Sequence, residues 1–223
     1  YRIGGSRMAW EADGLTVDID ELTVPIPRRV RGRVRLRTEG VCNFLTALDA
    51  AGRHGWGPIA PCARVEVEFE QPGLKWTGHA YMDANQGSEP IERAFHEWDW
   101  SRAGMADGST TVIYDVRPAR GQGPDRVIAQ RFAPDGSHSP FTAPARQPLP
   151  PSAWRIARTM RSDAGVPPRL IRSLEDTPFY ARCLLQANVM GEPVTAMHET
   201  LNVPRLVSLP VRLMLPWRMP RRV

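Results

Sequence analysis

The stretch Leu15-Thr-Val-Asp-Ile-Asp-Glu-Leu22 sets Leu15, Val17 and Ile19 on one side and Thr16, Asp18 and Asp20 on the other. A period of two is the signature of a strand with one buried face. The next run, Val30-Arg-Gly-Arg-Val-Arg-Leu-Arg37, repeats the pattern, with Val30, Gly32, Val34 and Leu36 opposite Arg31, Arg33, Arg35 and Arg37. Pro25 and Pro27 lie in the connection. Pairing of the two runs sets acids against arginines on the outer face, each pair contributing a few tenths to about 1 kcal/mol. The competing use of the arginine row is a surface for anionic lipid.

The same alternation predicts strands over residues 64–70, 74–83, 98–103, 110–117, 126–132, 154–161 and 193–203. Turn residues separate them, as in Gln71-Pro72-Gly73, Asp107-Gly108 and Pro134-Asp135-Gly136. Many short strands at this spacing imply an all-β sandwich or barrel. Helical signals are sparse: one or two turns over 89–96 and a short helix over 176–187. Residues 140–151 are proline-rich and read as a linker or long loop.

The chain has 223 residues, of which 42% are hydrophobic and 24% charged, enough for one large β-domain or two smaller ones. Tyr1 is not a natural start, so a trimmed chain is expected. Net charge is +5, carried by arginine apart from Lys75. No zinc-finger spacing or basic run with interleaved aromatics is present, so nucleic acid is not expected as a partner. Cys42, Cys62 and Cys183 form no CxxC pair, which argues for buried thiols over a disulfide framework or structural zinc. No window is apolar enough to span a bilayer as a helix.

Chemistry concentrates between Trp76 and Arg102. On a strand, Thr77, His79, Tyr81 and Asp83 share a face, with successive side chains about 7 Å apart. A phenol and a carboxyl at that spacing address one small reaction centre. The plain alternative makes Asp83 a turn initiator before Ala84-Asn-Gln-Gly87. His54 and Trp56 repeat the i, i+2 arrangement in a Gly/Pro-rich loop, and Trp98 and Trp100 share a strand face. These tryptophans, with Trp76, either close the base of a barrel or wall a pocket. GxSxG, GxGxxG and P-loop patterns are missing, and the scattered histidines form no HExxH or HxH pair. No metal site is expected.

The run Trp76-Thr-Gly-His-Ala-Tyr-Met-Asp-Ala-Asn-Gln-Gly87, then Glu89-Pro90, Phe95 and Trp98-Asp-Trp-Ser-Arg102, resembles the carotenoid 1,2-hydratase (hydroxyneurosporene synthase) family. So do Val17-Asp-Ile-Asp-Glu21, Leu48-Asp-Ala-Ala-Gly-Arg-His54, Leu174-Glu-Asp-Thr-Pro-Phe-Tyr-Ala-Arg182 and the ending Leu213-Met-Leu-Pro-Trp-Arg-Met-Pro-Arg221. The resemblance implies lipocalin-like (calycin) antiparallel β-barrels in two domains, over residues 1–90 and 91–223. The first is N-terminally incomplete, the chain being the C-terminal majority of a longer protein. It implies hydration of the terminal C1=C2 bond of an acyclic carotenoid to a tertiary 1-hydroxy product, without a cofactor. It places the acid at Asp83, beside Tyr81, His54 and Trp56, with Trp76, Trp98 and Trp100 as pocket walls.

Protonating an unactivated alkene needs a carboxylic acid that keeps its proton at neutral pH, and burial in an apolar pocket raises a carboxyl pKa by up to about 3–5 units. Tyr81 and Trp56 are suited to facing the cation, and His54 to orienting Asp83 or the attacking water. Asp83 is therefore expected to lie shielded from water beside aromatic rings. A membrane-dwelling substrate implies peripheral contact with the cytoplasmic side of a bacterial membrane, helped by the basic Pro216-Trp-Arg-Met-Pro-Arg-Arg222. No motif sets an oligomeric state. The competing functions are a non-catalytic carrier of an apolar ligand and a cofactor-free isomerase or cyclase.

Overall fold

A computed structural model describes residues 1–24 and 26–215. Pro25 and the basic stretch from Pro216 lie outside the described residues. The chain divides into two compact units. One comprises Tyr1–Phe44, Pro58–Ala84 and Ala133–Ser137; the other Leu45–Gly57, Asn85–Phe132 and the chain from His138 onward.

The first sheet contains β1 (Arg2–Ile3), β2 (Ser6–Glu11), β3 (Gly14–Leu22), β4 (Arg29–Thr38), β5 (Thr46–Ala47), β6 (His54–Gln71) and β7 (Leu74–Gly87). The order is β1-β2-β3-β4-β6-β5, with β7 also paired to β6; β1–β2, β2–β3, β3–β4, β4–β6 and β5–β6 pair antiparallel. The turn at Pro72-Gly73 joins β6 to β7, as the sequence predicts. Residues 54–57 and 85–87 belong to the second unit.

The alternation that opened the sequence reading is realised in β3 and β4. Asp18 stands opposite Arg33 and Asp20 opposite Arg31. The arginine row has a second acidic neighbour that the sequence reading did not pair with it. Glu68 of β6 faces Arg33 from the other side, and Glu66 faces Arg35. Arg33 bonds Asp18 at 2.5 Å, Arg29 bonds Asp20 at 2.7 Å, and Arg37 bonds Glu66 at 3.2 Å. Most of these side chains are well exposed, so each pair contributes about 0–1 kcal/mol. The row is thus charge-matched from both flanks. On the opposite face Leu15, Val65 and Val67 are buried. Gly32 interrupts the apolar face because β4 and β6 shift register there, and a Cβ would come to 2.5 Å from the Glu68 carbonyl oxygen.

The second sheet contains β8 (Phe95–Gly104), β9 (Thr110–Pro118), β10 (Arg126–Phe132), β11 (His138–Pro140), β14 (Arg169–Asp176), β15 (Tyr180–Val189) and β16 (Glu192–Asn202). Its order is β11-β10-β9-β8-β16-β15-β14, antiparallel throughout. A two-stranded piece pairs β12 (Arg146–Leu149) with β13 (Arg158–Arg161). The helices are short: α1 (Ile91–Ala94), α2 (Val203–Leu206) and α3 (Leu209–Met214). The fold is all-β and antiparallel, as a lipocalin-like chain requires, and neither sheet closes on itself among the described residues. Ala103, Met105, Leu149, Met160, Cys183, Leu185 and Val194 form a buried core.

Three local expectations are corrected. The expected helix over 176–187 is the end of β14 and most of β15, where burial alternates strictly from Tyr180 to Val189 and all ten residues pair with β16. Period two outweighs the helix-tolerant Ala, Leu, Arg and Gln of this stretch. The proline-rich segment 140–151 is not a bare linker, because it contains β12 with Leu149 buried. Pro148 is tolerated in a two-stranded ladder, where its missing N–H costs little. Residues 154–157 are not strand, leaving only Arg158–Arg161 in β13.

Candidate active site

Tyr81 and Asp83 alternate on β7 in the first unit, both half-buried. The Tyr81 hydroxyl donates to Asp83 Oδ2 at 3.2 Å. The turn-initiator alternative for Asp83 fails, because the backbone stays extended through Gly87. Asp83 is half-buried, short of the full shielding expected of it, and its carboxyl accepts from the Tyr81 hydroxyl. Trp76 is 47% exposed, with its ring over Gly78.

His54 and Trp56 belong to the second unit. They open β6, so they are strand residues and not part of a loop. Trp56 is fully buried, edge-on to Tyr114 at 5.5 Å and to Phe132 at 6.5 Å. Trp98, half-buried on β8, contacts Tyr114 at 6.2 Å and Phe95 at 5.6 Å, and Phe95 in turn meets the His54 ring at 4.8 Å. His54, Phe95, Trp98, Tyr114, Trp56 and Phe132 thus make one continuous aromatic string. T-shaped contacts of this kind add about 0.5–1.5 kcal/mol each beyond buried area. Trp100 is buried and borders a void of about 10 Å³ with Asp99, Met160 and His198.

Asp49 builds the turn ahead of His54. Its carboxylate accepts the backbone N–H groups of Ala51, Arg53 and His54, the last at 2.7 Å. Burial pushes this carboxyl up, but those donors outweigh it and hold it below the usual range. Beside His54 an open pocket of about 510 Å³ is lined by Thr46, Arg53, Gly55, Gln86 and Gly87 among others. That volume suits a small-molecule site.

A second polar cluster sits on β8, β9 and β16. Asp99 lies between Asp115 on one neighbour and Thr200 on the other. Two acids directly opposite repel, and Arg117 answers both, bonding Asp99 at 2.6 Å and approaching Asp115 at 3.8 Å. Arg146 and Arg161 also bond Asp115, at 2.7 and 2.9 Å. Burial raises the Asp115 carboxyl, yet these arginines hold it below the ordinary range. Cys183, His198 and Asp99 follow one another in space like a thiol protease triad, with Cys183 Sγ 3.9 Å from His198 Nδ1. The thiol is fully buried and burial pushes it up to about 11, so it is no nucleophile.

His198 itself is fully enclosed, and burial holds its imidazole below the usual range. Asp99 and the Thr159 carbonyl oppose that effect, while Arg158 and Arg117 reinforce it. The folded chain keeps this ring neutral where the unfolded chain, with a pKa of about 6.5, takes up a proton. The stability it contributes is complete above about pH 6.5 and is lost as pH falls below that value. Denaturant midpoints are therefore expected to drop between about pH 7.5 and about pH 5, and to drop less in His198→Gln. Equal slopes in the two proteins would overturn this assignment.

Sequence reasoning missed Tyr114 and Phe132, and met Asp49, Phe95 and Glu89 only through the family resemblance. Only the Asp49 turn leaves a local signal, an Asp followed closely by Gly52. Phe95, Tyr114 and Phe132 are placed by tertiary pairing of β8, β9 and β10, and Glu89 by pairing of β6 with β7.

A family model described as carotenoid hydratase CrtC matches residues 1–223. The acyclic carotenoid 1,2-hydratase of Rubrivivax gelatinosus is 60% identical over 222 residues, covering 100% of this chain and 54% of that protein. The protein of the same name from Thiocapsa roseopersicina is 48% identical over 220 residues, covering 98% and 54%. That from Cereibacter sphaeroides is 35% identical over 221 residues, covering 99% and 78%. The chain spans about half the length of the first two relatives.

Proposed function

The chain belongs to the carotenoid hydratase family, and from that premise we propose that it carries the acid and aromatic groups that hydrate the terminal C1=C2 bond of an acyclic carotenoid. The observation that carries the proposal is Asp83 on β7 with Tyr81 donating to one of its oxygens. Asp83 gives its proton to C2, leaving a tertiary cation at C1. Water adds its oxygen to C1 and releases one proton, and the carboxylate regains a proton from solvent. The sum is alkene plus water to tertiary alcohol, with nothing oxidised or reduced.

Tyr81 favours the transfer because its hydroxyl steadies the carboxylate that remains. The hydrocarbon itself supplies the dry surroundings, since a carboxyl stripped of water prefers its neutral form. A substrate that lives in the bilayer calls for peripheral contact with a membrane, on its cytoplasmic side in our proposal. In support, α3 leaves Leu209 and Leu213 exposed at its surface. No helix among the described residues is long and apolar enough to cross a membrane.

The test is incubation of the whole protein with lycopene or neurosporene, read by product mass. Gain of one water supports the proposal. An unchanged mass with a shifted double bond points to an isomerase, and tight polyene binding without product points to a carrier.

A further inference from the structure

The His54 side chain is 5% exposed and is fixed from several sides. Its backbone is held by Asp49, its ring stands on Phe95, and its Nδ1–Cε1 edge lies against Gly87. A Cβ at position 87 would come to 2.6 Å from Nδ1, so only glycine fits there without moving the ring. Nε2, on the other edge, is buried and makes no hydrogen bond. The group facing it is Glu89, whose Oε1 is 4.0 Å away. Glu89 follows β7 directly and its side chain is 10% exposed. Its other oxygen, Oε2, accepts from Arg53 Nη1 at 2.6 Å, and Arg93 Nη1 stands 4.0 Å from that same oxygen. The gap at Nε2 is longer than a hydrogen bond, and a small side-chain rotation closes it.

We propose that Glu89 is a positioning residue that fixes the tautomer of His54. Arg53 anchors one carboxylate oxygen, so the other is committed to Nε2 and keeps a proton there. Nδ1 is then the unprotonated nitrogen, on the edge that meets Gly87, itself part of the pocket lining. The consequence for catalysis rests on the hydratase reading. An unprotonated Nδ1 accepts a proton from water in that pocket and passes it to solvent.

Replacing Glu89 by glutamine tests this sharply. Arg53 would retain the amide oxygen, turning the NH₂ toward Nε2. A donor there demands the opposite tautomer, protonated on Nδ1. Ring ¹⁵N spectra of the whole, histidine-labelled protein, taken at about pH 9 where imidazoles are neutral, are expected to show His54 protonated at Nε2. In Glu89→Gln the pattern is expected to invert, with kcat for hydration falling at least about a hundredfold and KM changing far less.

An Nδ1-protonated ring in the parent protein overturns the proposal without recourse to any variant. An inverted tautomer with full hydration rate overturns the role of Glu89 in the reaction. A parent protein that hydrates nothing counts against the hydratase reading, whereas the spectra decide the tautomer either way.

Discussion

Asp83→Asn is expected to reduce hydration of an acyclic carotenoid by about a thousandfold or more while leaving the fold intact. General acid catalysis is ordinarily worth about 10²–10⁴, and in the proposed mechanism the proton from Asp83 is what generates the C1 cation. Asparagine matches aspartate in shape, and its amide oxygen still accepts from the Tyr81 hydroxyl that now reaches Oδ2. Since residue 83 is half-buried on a sheet surface, the folding cost is expected to stay within about 0.5 kcal/mol. The two readouts are product per unit time by mass and the denaturant midpoint. Undiminished turnover would remove Asp83 from the role of acid. Unchanged binding of the polyene by the variant is part of the expectation, because the hydrocarbon needs no carboxyl to bind. Tyr81→Phe is the companion: a loss confined to kcat assigns the hydroxyl to the transition state, and unaffected turnover demotes Tyr81 to packing.

The largest stability effect is expected at Asp99, which is not assigned to catalysis. One oxygen accepts from Thr200 Oγ1 at 2.5 Å and lies 3.6 Å from His198 Nε2. The other accepts from Thr159 Oγ1 and Arg117 Nη2, each at 2.6 Å. The residue is 3% exposed. Asp99→Ala strands a largely buried guanidinium and two hydroxyls, and removal of one partner from such a network costs about 3–5 kcal/mol. For a chain of this size the melting midpoint should fall by roughly 10 °C. Asp99→Asn, which keeps an acceptor for one of the two threonines, should cost less. A loss under about 1 kcal/mol in the alanine variant would mean that Asp115 and Glu97 satisfy Arg117 unaided.

The sequence made the strand framework legible where one face meets solvent. In β3 and β4 the polar face is charged and the buried face is aliphatic, so alternation alone locates both strands and their pairing. It failed at β15, where partly exposed positions hold Leu184 and Gln186 and the buried ones hold Ala181 and Ala187. Small residues in a packed layer blur the contrast on which periodicity depends. The site was legible in parts. Tyr81 and Asp83 are two apart on one strand, so their hydrogen bond follows from local geometry. The surroundings of His54 do not, because Glu89 lies 35 positions on and reaches the ring only through pairing of β6 with β7. The buried Asp99 network is likewise invisible to spacing, its members being drawn from β8, β9, β13 and β16.

Two sheets that stay open among the described residues leave edge strands whose backbone groups offer pairing to another molecule. The second sheet begins at β11, only three residues long, and ends at β14, whose register breaks between Leu170 and Arg172 and again between Ser173 and Glu175. A strand that kinks twice in eight residues, and carries Arg169 and Arg172, offers a poor template to a neighbour. The irregularity of β14 thus guards against self-association through that margin.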